Sequence, residues 1–456
     1  MLCAMAQDRR GRRRGGAGAA STANTDTLRF PLAGSSLGPR GAAGSHVAAA
    51  GVAFPLTVAA VHLLVVQVAA SLAYHLGTAN PLPSPPYGTV PPPLTGLAHY
   101  LVEPLRLWDG LWYKLIAEQG YPGSVQSAKA AFWPLFSWVM DYGSRLTGWS
   151  VDTVGYLVSN LAFAGALVLL YRLVALDFDA AMARRTLWAI ALFPTALFFS
   201  AVYTESLFLL LVVGALLAAR LGRWWIAGLV GALAALTRSY GVLLLIPFAV
   251  LFVQQYRLDV RRWFPKVIAT ALPVLGPAIF GWHLERVQGN WRAFIDVQGQ
   301  WNRYASNPVD TLRCGISSCF NLGGEPDGAS WGWLTTLLHH PTWATLTSQP
   351  FRLSVANSDT LELVCTLLFL ALAVIGLRTL PLYQSAYLIP GLVIPLYQPS
   401  SVHALMSMPR FGLTLFPLFV VLALLIRGRF AVPVMAVSTL LLVLLTIQFT
   451  HWYWVS

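Results

Sequence analysis

Charge is what this chain has least of. Only 11% of its 456 residues are charged, while 56% are hydrophobic; an average soluble domain carries about 25% charged residues. That scarcity excludes a soluble globular enzyme. Runs of about 20 apolar residues, the length that crosses a bilayer, recur instead. Lysine is nearly missing: Lys114, Lys129 and Lys266 are the only ones, so arginine carries almost all of the net charge of +12. We attribute the arginine bias to genome composition. The positive charge crowds loops on one side of the membrane, which speaks against nucleic acid as a partner. Cysteine is scarce too, at four residues, and no CxxC or Cys/His cluster marks a zinc site. Cys3 and Cys365 stand alone. Cys314 and Cys319 share one loop and are candidates for a small disulfide if that loop faces an oxidising compartment; two free thiols is the alternative. No repeat of fixed period is present.

What is there is a series of eleven apolar segments, near 50–76, 154–176, 185–202, 204–220, 224–238, 240–256, 265–285, 358–377, 380–397, 410–426 and 430–449. They predict an all-α polytopic membrane protein. Residues 1–48, with Arg9, Arg10, Arg12, Arg13 and Arg14 followed by Gly, Ala, Ser and Thr, predict a disordered basic tail on the cytoplasmic side, and 49–456 the membrane domain. A secretory signal is the alternative, but the apolar run that follows is longer than a signal core and lacks a convincing cleavage site. Alternating sides from a cytoplasmic N-terminus makes every inner loop basic: Arg172 with Arg184 and Arg185, Arg220 with Arg223, Arg257 to Lys266, Arg378, and Arg427 with Arg429. The C-terminal Trp452, Tyr453 and Trp454 then fall at the outer interface as anchors.

Two outer loops are long, 77–153 and 286–357. The second carries Trp291, Trp301, Trp331, Trp333, His339 and His340. Loops of such length in a compact protein are functional or disordered, and this aromatic content argues for function. The first begins with a proline-rich run from Pro81 to Pro93, which is not helical. It then carries Arg106-Leu107-Trp108-Asp109-Gly110-Leu111-Trp112-Tyr113. Read at about 100° per residue, Trp108, Leu111, Trp112, Leu115 and Ile116 form an apolar stripe, and Arg106, Asp109 and Tyr113 a polar one. The expectation is an interfacial helix, tryptophans toward lipid, with a carboxylate in the headgroup plane.

Ionisable residues within spans are costly, and here they gather at span ends on the outer side. Glu205 follows Tyr203 and Thr204; Arg238 ends the fifth span; His403 precedes the tenth, which Arg410 begins. Each has a plain reading: Asp109 paired with Arg106, Glu205 as a turn residue or a partner for Arg238, and Arg238 and Arg410 as snorkelling residues. His403 alone carries little. Yet Gly241 and Pro409 break the helices beside the two arginines, which suits approach to a lipid phosphate that a guanidinium fork can grip.

The motifs Trp108-Asp109-Gly110-Leu111-Trp112-Tyr113, Phe132-Trp133-Pro134-Leu135-Phe136, Phe193-Pro194-Thr195 with Tyr203-Thr204-Glu205-Ser206, Thr237-Arg238-Ser239-Tyr240-Gly241 and Pro409-Arg410-Phe411 occur in that order. With them the chain resembles the PIG-V family, the GPI mannosyltransferase 2 group and its bacterial relatives, within the GT-C class of membrane glycosyltransferases. It departs at Leu107, which separates Arg106 from Trp108, and at Ser137 in place of a proline. The resemblance implies a GT-C-like fold and transfer of mannose, or a related sugar, from a polyprenyl-phosphate donor to a lipid, glycan or protein acceptor at the outer face of the cell membrane. Asp109 would be the base of an inverting reaction, and Arg238 and Arg410 would hold the donor phosphate. Arg106, Tyr113, Glu205 and His403 would support the site. A divalent metal is compatible with this chemistry but not required by it. The competing readings are a transporter or flippase, for which paired midplane charges would be expected, and a non-catalytic subunit of an envelope complex.

Overall fold

The structure, a computed structural model, describes residues 44–77, 92–121, 123, 128–257, 264–320 and 358–455. Contacts divide the chain into Met1–Ala50 and Gly51–Ser456. Of the first unit only residues 44–50 are described, as the opening turns of α1 (Gly44–Leu76). Helix therefore begins inside the segment expected to be disordered, and the rest of that tail lies outside the described residues. The described residues are helical throughout, apart from turns and one isolated bridge between Arg303 and Ser400.

Six helical stretches are long and apolar enough to cross a membrane: Gly51–Leu76, Val151–Asp177, Ser239–Tyr256, Phe264–Gln288, Ser358–Thr379 and Gly428–Thr450. Trp224–Thr237 and Leu382–Leu396 are shorter apolar helices. The polytopic all-α class is thus observed, while the count of eleven is not. The expected span 185–202 shows why. Helix α6 (Ala180–Ala191), reached after α2 (Leu97–Leu101), α3 (Asp109–Gln119), α4 (Pro134–Thr147) and α5 (Val151–Asp177), stops at Ala191; turns and a 3₁₀ segment, Ala196–Phe199, then lead to α7 (Glu205–Arg220). Irregular backbone at this depth is tolerated only when protein satisfies its polar groups. Here it does. His62 meets the Ala191 carbonyl at 2.7 Å and the Ser200 hydroxyl at 3.1 Å. Ser206 Oγ donates to the Phe199 carbonyl, Val202 N to the Leu105 carbonyl and Ser159 Oγ to the Tyr203 carbonyl. Apolar composition does not distinguish a lipid-facing helix from an irregular segment buried in protein, so the sequence overextended this span.

Local signals set the helices that carry the site. Pro134 opens α4 at a position where its missing N–H costs nothing, and Gly148 closes it in the left-handed region at φ 73°. Ser150 caps α5 by accepting from Thr153 N. Helix α5 packs on α6 and α7, and α7 packs on α8 (Trp224–Thr237). After α8 the chain turns at Arg238 into a 3₁₀ segment, Ser239–Leu244, that lies back on α8. A Cβ on Gly241 would stand 2.3 Å from Ala235 N, so glycine serves this close backbone approach rather than a ligand.

The remaining helices are α9 (Leu245–Tyr256), α10 (Phe264–Ala271), α11 (Leu275–Gln288), α12 (Ala293–Asp296), α13 (Pro308–Phe320), α14 (Ser358–Thr379), α15 (Leu382–Leu396), α16 (Met408–Leu413), α17 (Pro417–Leu425) and α18 (Ala431–Thr450). The expected span 410–426 is split between α16 and α17, with Pro417 at the start of the second piece. Leu64, Leu161, Leu229, Val374, Val432 and Leu440 point outward from the long helices as exposed apolar groups, the pattern of a lipid-facing surface. Charged clusters sit at both ends of α7. At one end Asp177 of α5 accepts from Arg220 Nε of α7 at 3.0 Å and from Gln384 Nε2 of α15 at 2.8 Å, with the Tyr383 hydroxyl also donating. At the other end of α7 lies Glu205.

A candidate active site around Glu205 and Asp109

Glu205 is completely buried, and two arginines meet on its Oε1: Arg238 Nη1 at 2.6 Å and Arg410 Nε at 2.9 Å. Arg410 continues through Nη1 to Asp109 Oδ2 at 2.5 Å. Four charged residues from four separate parts of the chain thus form one line, Asp109–Arg410–Glu205–Arg238. Aromatic rings flank it. The Arg410 guanidinium lies 4.8 Å from the Tyr203 ring centre and that of Arg238 lies 5.6 Å from Phe411, distances at which a cation gains from the ring face. The chain is electrically balanced, two carboxylates against two guanidiniums, as burial of so much charge requires.

Asp109 is held by its own backbone. Trp108 precedes it at φ 57°, a conformation that a bulky residue adopts at a cost of about 1–3 kcal/mol. Its ring packs against Trp452 and Trp454, with centres 5.4 and 5.2 Å away. The Tyr203 hydroxyl joins the turn, accepting from Asp109 N at 3.0 Å and donating to the Leu107 carbonyl at 3.3 Å. Helix α3 therefore begins at Asp109, not at Arg106, and its tryptophans are buried among protein aromatics instead of resting in lipid. Trp112 stacks on Phe132 at 5.6 Å. The C-terminal tryptophans belong to the same packing, and Trp452 is only 9% exposed. Tyr113 Oη lies 3.3 Å from Thr204 Oγ1; burial, with the Glu205 charge behind it, pushes its phenol up to about 12. It is a neutral hydrogen-bonding group at physiological pH.

A cavity of about 590 Å³ opens over this line. Asp109, Tyr113, Arg238 and Arg410 reach its wall, together with Arg303, Tyr240, His403 and Ser407; Phe132, Trp133, Trp301 and Trp454 complete it. A second, narrow apolar crevice runs from Arg238 and Tyr240 to Leu243, Tyr387, Gly391 and Leu415. His403 Nδ1 pairs with Asp359 Oδ1 at 2.8 Å.

Of the residues expected at the site, Asp109, Glu205, Arg238, Arg410 and Tyr113 come together, and His403 lines the same cavity. Arg106 does not. It is buried beside α5, donating to Asp152 Oδ2 at 2.8 Å, Glu103 Oε1 at 2.6 Å and the Pro92 carbonyl at 2.9 Å. Arg106→Ala would remove the guanidinium between two buried carboxylates, so we expect it to destabilise the fold by about 3–5 kcal/mol, read as a lowered Tm in detergent. A Tm equal to that of the wild type would refute this role. Cys314 is disulfide-bonded, while the Cys319 side chain, Trp331, Trp333, His339 and His340 lie outside the described residues.

Four residues escaped the sequence reading. Tyr203 stands two positions from Glu205, and its neighbourhood was the signal. Arg303 sits in Trp301-Asn302-Arg303-Tyr304 of the second long loop, where aromatic density was the only hint. Among the described residues it makes no ion pair; its Nη1 donates to the Gln398 carbonyl at 2.8 Å. Asp359 and Glu362, three apart at the start of a span, were visible as two acids in an apolar helix.

Two comparisons with known proteins give a match. Residues 52–272 match the family model of the mannosyltransferase PIG-V. The match spans just under half of the chain. It contains Asp109, Tyr113, Tyr203, Glu205 and Arg238, whereas Arg303, His403 and Arg410 lie beyond it. Among solved structures, ArnT from Cupriavidus metallidurans bound to undecaprenyl phosphate is similar at 12% identity and a TM-score of 0.38, covering 86% of this chain and 77% of that one. No curated protein matches at a significant level.

Proposed function

We propose that the chain transfers mannose, or a related sugar, from a polyprenyl-phosphate donor to an acceptor hydroxyl at the outer face of the cell membrane, with inversion at the anomeric carbon. The observation that carries this reading is the Asp109–Arg410 contact on the wall of the cavity, where a carboxylate and guanidiniums face the same space. Asp109 is the base that accepts the acceptor's proton, and its charge stabilises the oxocarbenium-like transition state. The phosphate leaves without needing a proton and is met by guanidinium groups.

At rest Arg238 and Arg410 are bonded to Glu205 and Asp109, so the incoming phosphate competes with those carboxylates. Arg303, on the same cavity wall, adds a positive charge that the balanced line does not supply. A buried base with no second carboxylate placed as nucleophile supports inversion, and a β-linked donor would give an α-mannoside. The N-terminus is cytoplasmic, and the site and C-terminus face outward, on the strength of the basic inner loops.

The test is a transfer assay in membranes with labelled mannose presented either on polyprenyl phosphate or on a nucleotide. Transfer from the lipid alone, giving the α-anomer, is expected. Equal use of the nucleotide sugar, or retention at the anomeric carbon, would reject the reading. Arg303→Met removes one charge-assisted hydrogen bond, worth about 1.5–3 kcal/mol. We expect the KM for the lipid donor to rise roughly 10- to 100-fold with kcat little changed; an unchanged KM would place Arg303 outside the donor site.

A further inference from the structure

Glu362 is a buried acid that lies outside the charge line, the proposed reaction and the Arg106 ion pairs. It lies on α14 one turn beyond Asp359 and is completely buried. Neither of its carboxylate oxygens accepts a hydrogen bond; the Ser407 N–H approaches without closing one. A buried carboxylate in that condition is costly unless a cation faces it. The space it faces holds two further donors. Spacing of three along a helix puts Asp359 and Glu362 on one face, and the chain between α15 and α16 brings His403 across to them. One ligand atom from each of Asp359, Glu362 and His403 lies within 4.8 Å of the others. Ligands about 2.0–2.2 Å from a common ion stand about 3.3–4.4 Å apart, so small side-chain rotations close the set.

We propose that Asp359, Glu362 and His403 bind a divalent transition-metal ion at the rim of the cavity. One imidazole nitrogen and two carboxylates form a mixed donor set. Carboxylates alone would suit Mg²⁺ or Ca²⁺, and thiolates would select softer ions; this set suits Zn²⁺ or Mn²⁺. Three protein ligands leave at least one coordination position open. The Asp359 and His403 side chains are 25% and 29% exposed and His403 reaches the cavity wall, so the open position faces the cavity. The ion replaces the proton that His403 Nδ1 now shares with Asp359. It also joins the first turn of α14 to the segment before α16, the helix that carries Arg410. An anionic oxygen is the ligand class for the open position, a phosphate among them. The site stands on its own residues and does not depend on the sugar-transfer reading.

The experiment uses the full chain in detergent, with its affinity tag removed and metal stripped by EDTA. Zn²⁺ and Mn²⁺ are titrated separately and followed by calorimetry and by Tm. One ion bound per chain, with a rise in Tm, is expected for the wild type. Glu362→Gln keeps the side chain's shape and removes an unpartnered carboxylate, so the stripped variant should melt at or above the wild-type temperature while binding the ion at least 10-fold more weakly. His403→Gln should weaken binding similarly. Unchanged affinity in Glu362→Gln, or no saturable binding by the wild type of either ion, overturns the proposal. Because the stripped variant's own Tm is measured, loss of binding through misfolding shows itself as a lowered melting temperature, and His403→Gln then decides the matter.

Discussion

Asp109→Asn should lower mannose transfer by about 10²–10⁴-fold, the range of general acid–base contributions, with little change in folding. The substitution is nearly isosteric. Its amide oxygen can still accept from Arg410 Nη1, which now bonds Asp109 Oδ2 at 2.5 Å. Arg410 also keeps Glu205 as a charged partner at 2.9 Å, so no guanidinium is stranded. What disappears is the ability to take the acceptor's proton and the negative charge beside the developing oxocarbenium. Both matter only in the transition state, so kcat falls while donor binding persists. Membranes carrying wild type or variant at matched expression, assayed for transfer from polyprenyl-phosphate mannose, give the answer. Equal transfer would remove Asp109 from the reaction. A transporter or flippase reading would then regain ground, because moving an intact lipid-linked sugar needs no base at this position.

The sequence exposed this carboxylate through a local pattern, but it misassigned the carboxylate's surroundings. Asp109 was legible because Trp108, Leu111 and Trp112 make a two-faced segment around it, and because its motif is followed by others in a familiar order. Its partner was not legible. Arg106 was nearest in sequence, yet Arg410, 301 residues away, bonds it, and no periodicity reports a contact of that range. Arg106 instead turned toward Asp152, since the left-handed turn at Trp108 separates it from the helix that Asp109 begins.

The spans show the same division. Long lipid-facing helices such as α1, α5 and α18 follow directly from apolar length. Segments 185–202 and 410–426 are just as apolar but are broken, because buried side chains such as His62 and Ser206 satisfy their backbone or because Pro417 restarts the helix. Composition reports burial; it does not say whether lipid or protein provides it.

Arg410 carries the second large effect, since it touches both carboxylates. Arg410→Met leaves Asp109 without its guanidinium and Glu205 with only Arg238, at 2.6 Å. Removing one partner from a buried pair costs about 3–5 kcal/mol of stability. Removing a donor aimed at transition-state charge costs about 10²–10³ in kcat. We therefore expect a lowered Tm together with that loss of kcat, and Arg410→Lys separates the two. An ammonium is a point charge on a flexible stem, unable to span Asp109 and Glu205 as the planar fork does, but it keeps one buried pair. It should recover most of the Tm and little of the rate. Arg238→Met should be milder on both counts, because Glu205 retains Arg410 and the Arg238 side chain is 13% exposed. Asp109→Asn combined with Arg410→Met should fall far short of the product of the two single losses, since residues acting as one unit are not additive. If Arg410→Lys restores transfer along with the Tm, or if the double variant loses the full product, Arg410 is a structural counter-ion and the phosphate is held elsewhere, with Arg303 the next guanidinium on the cavity wall.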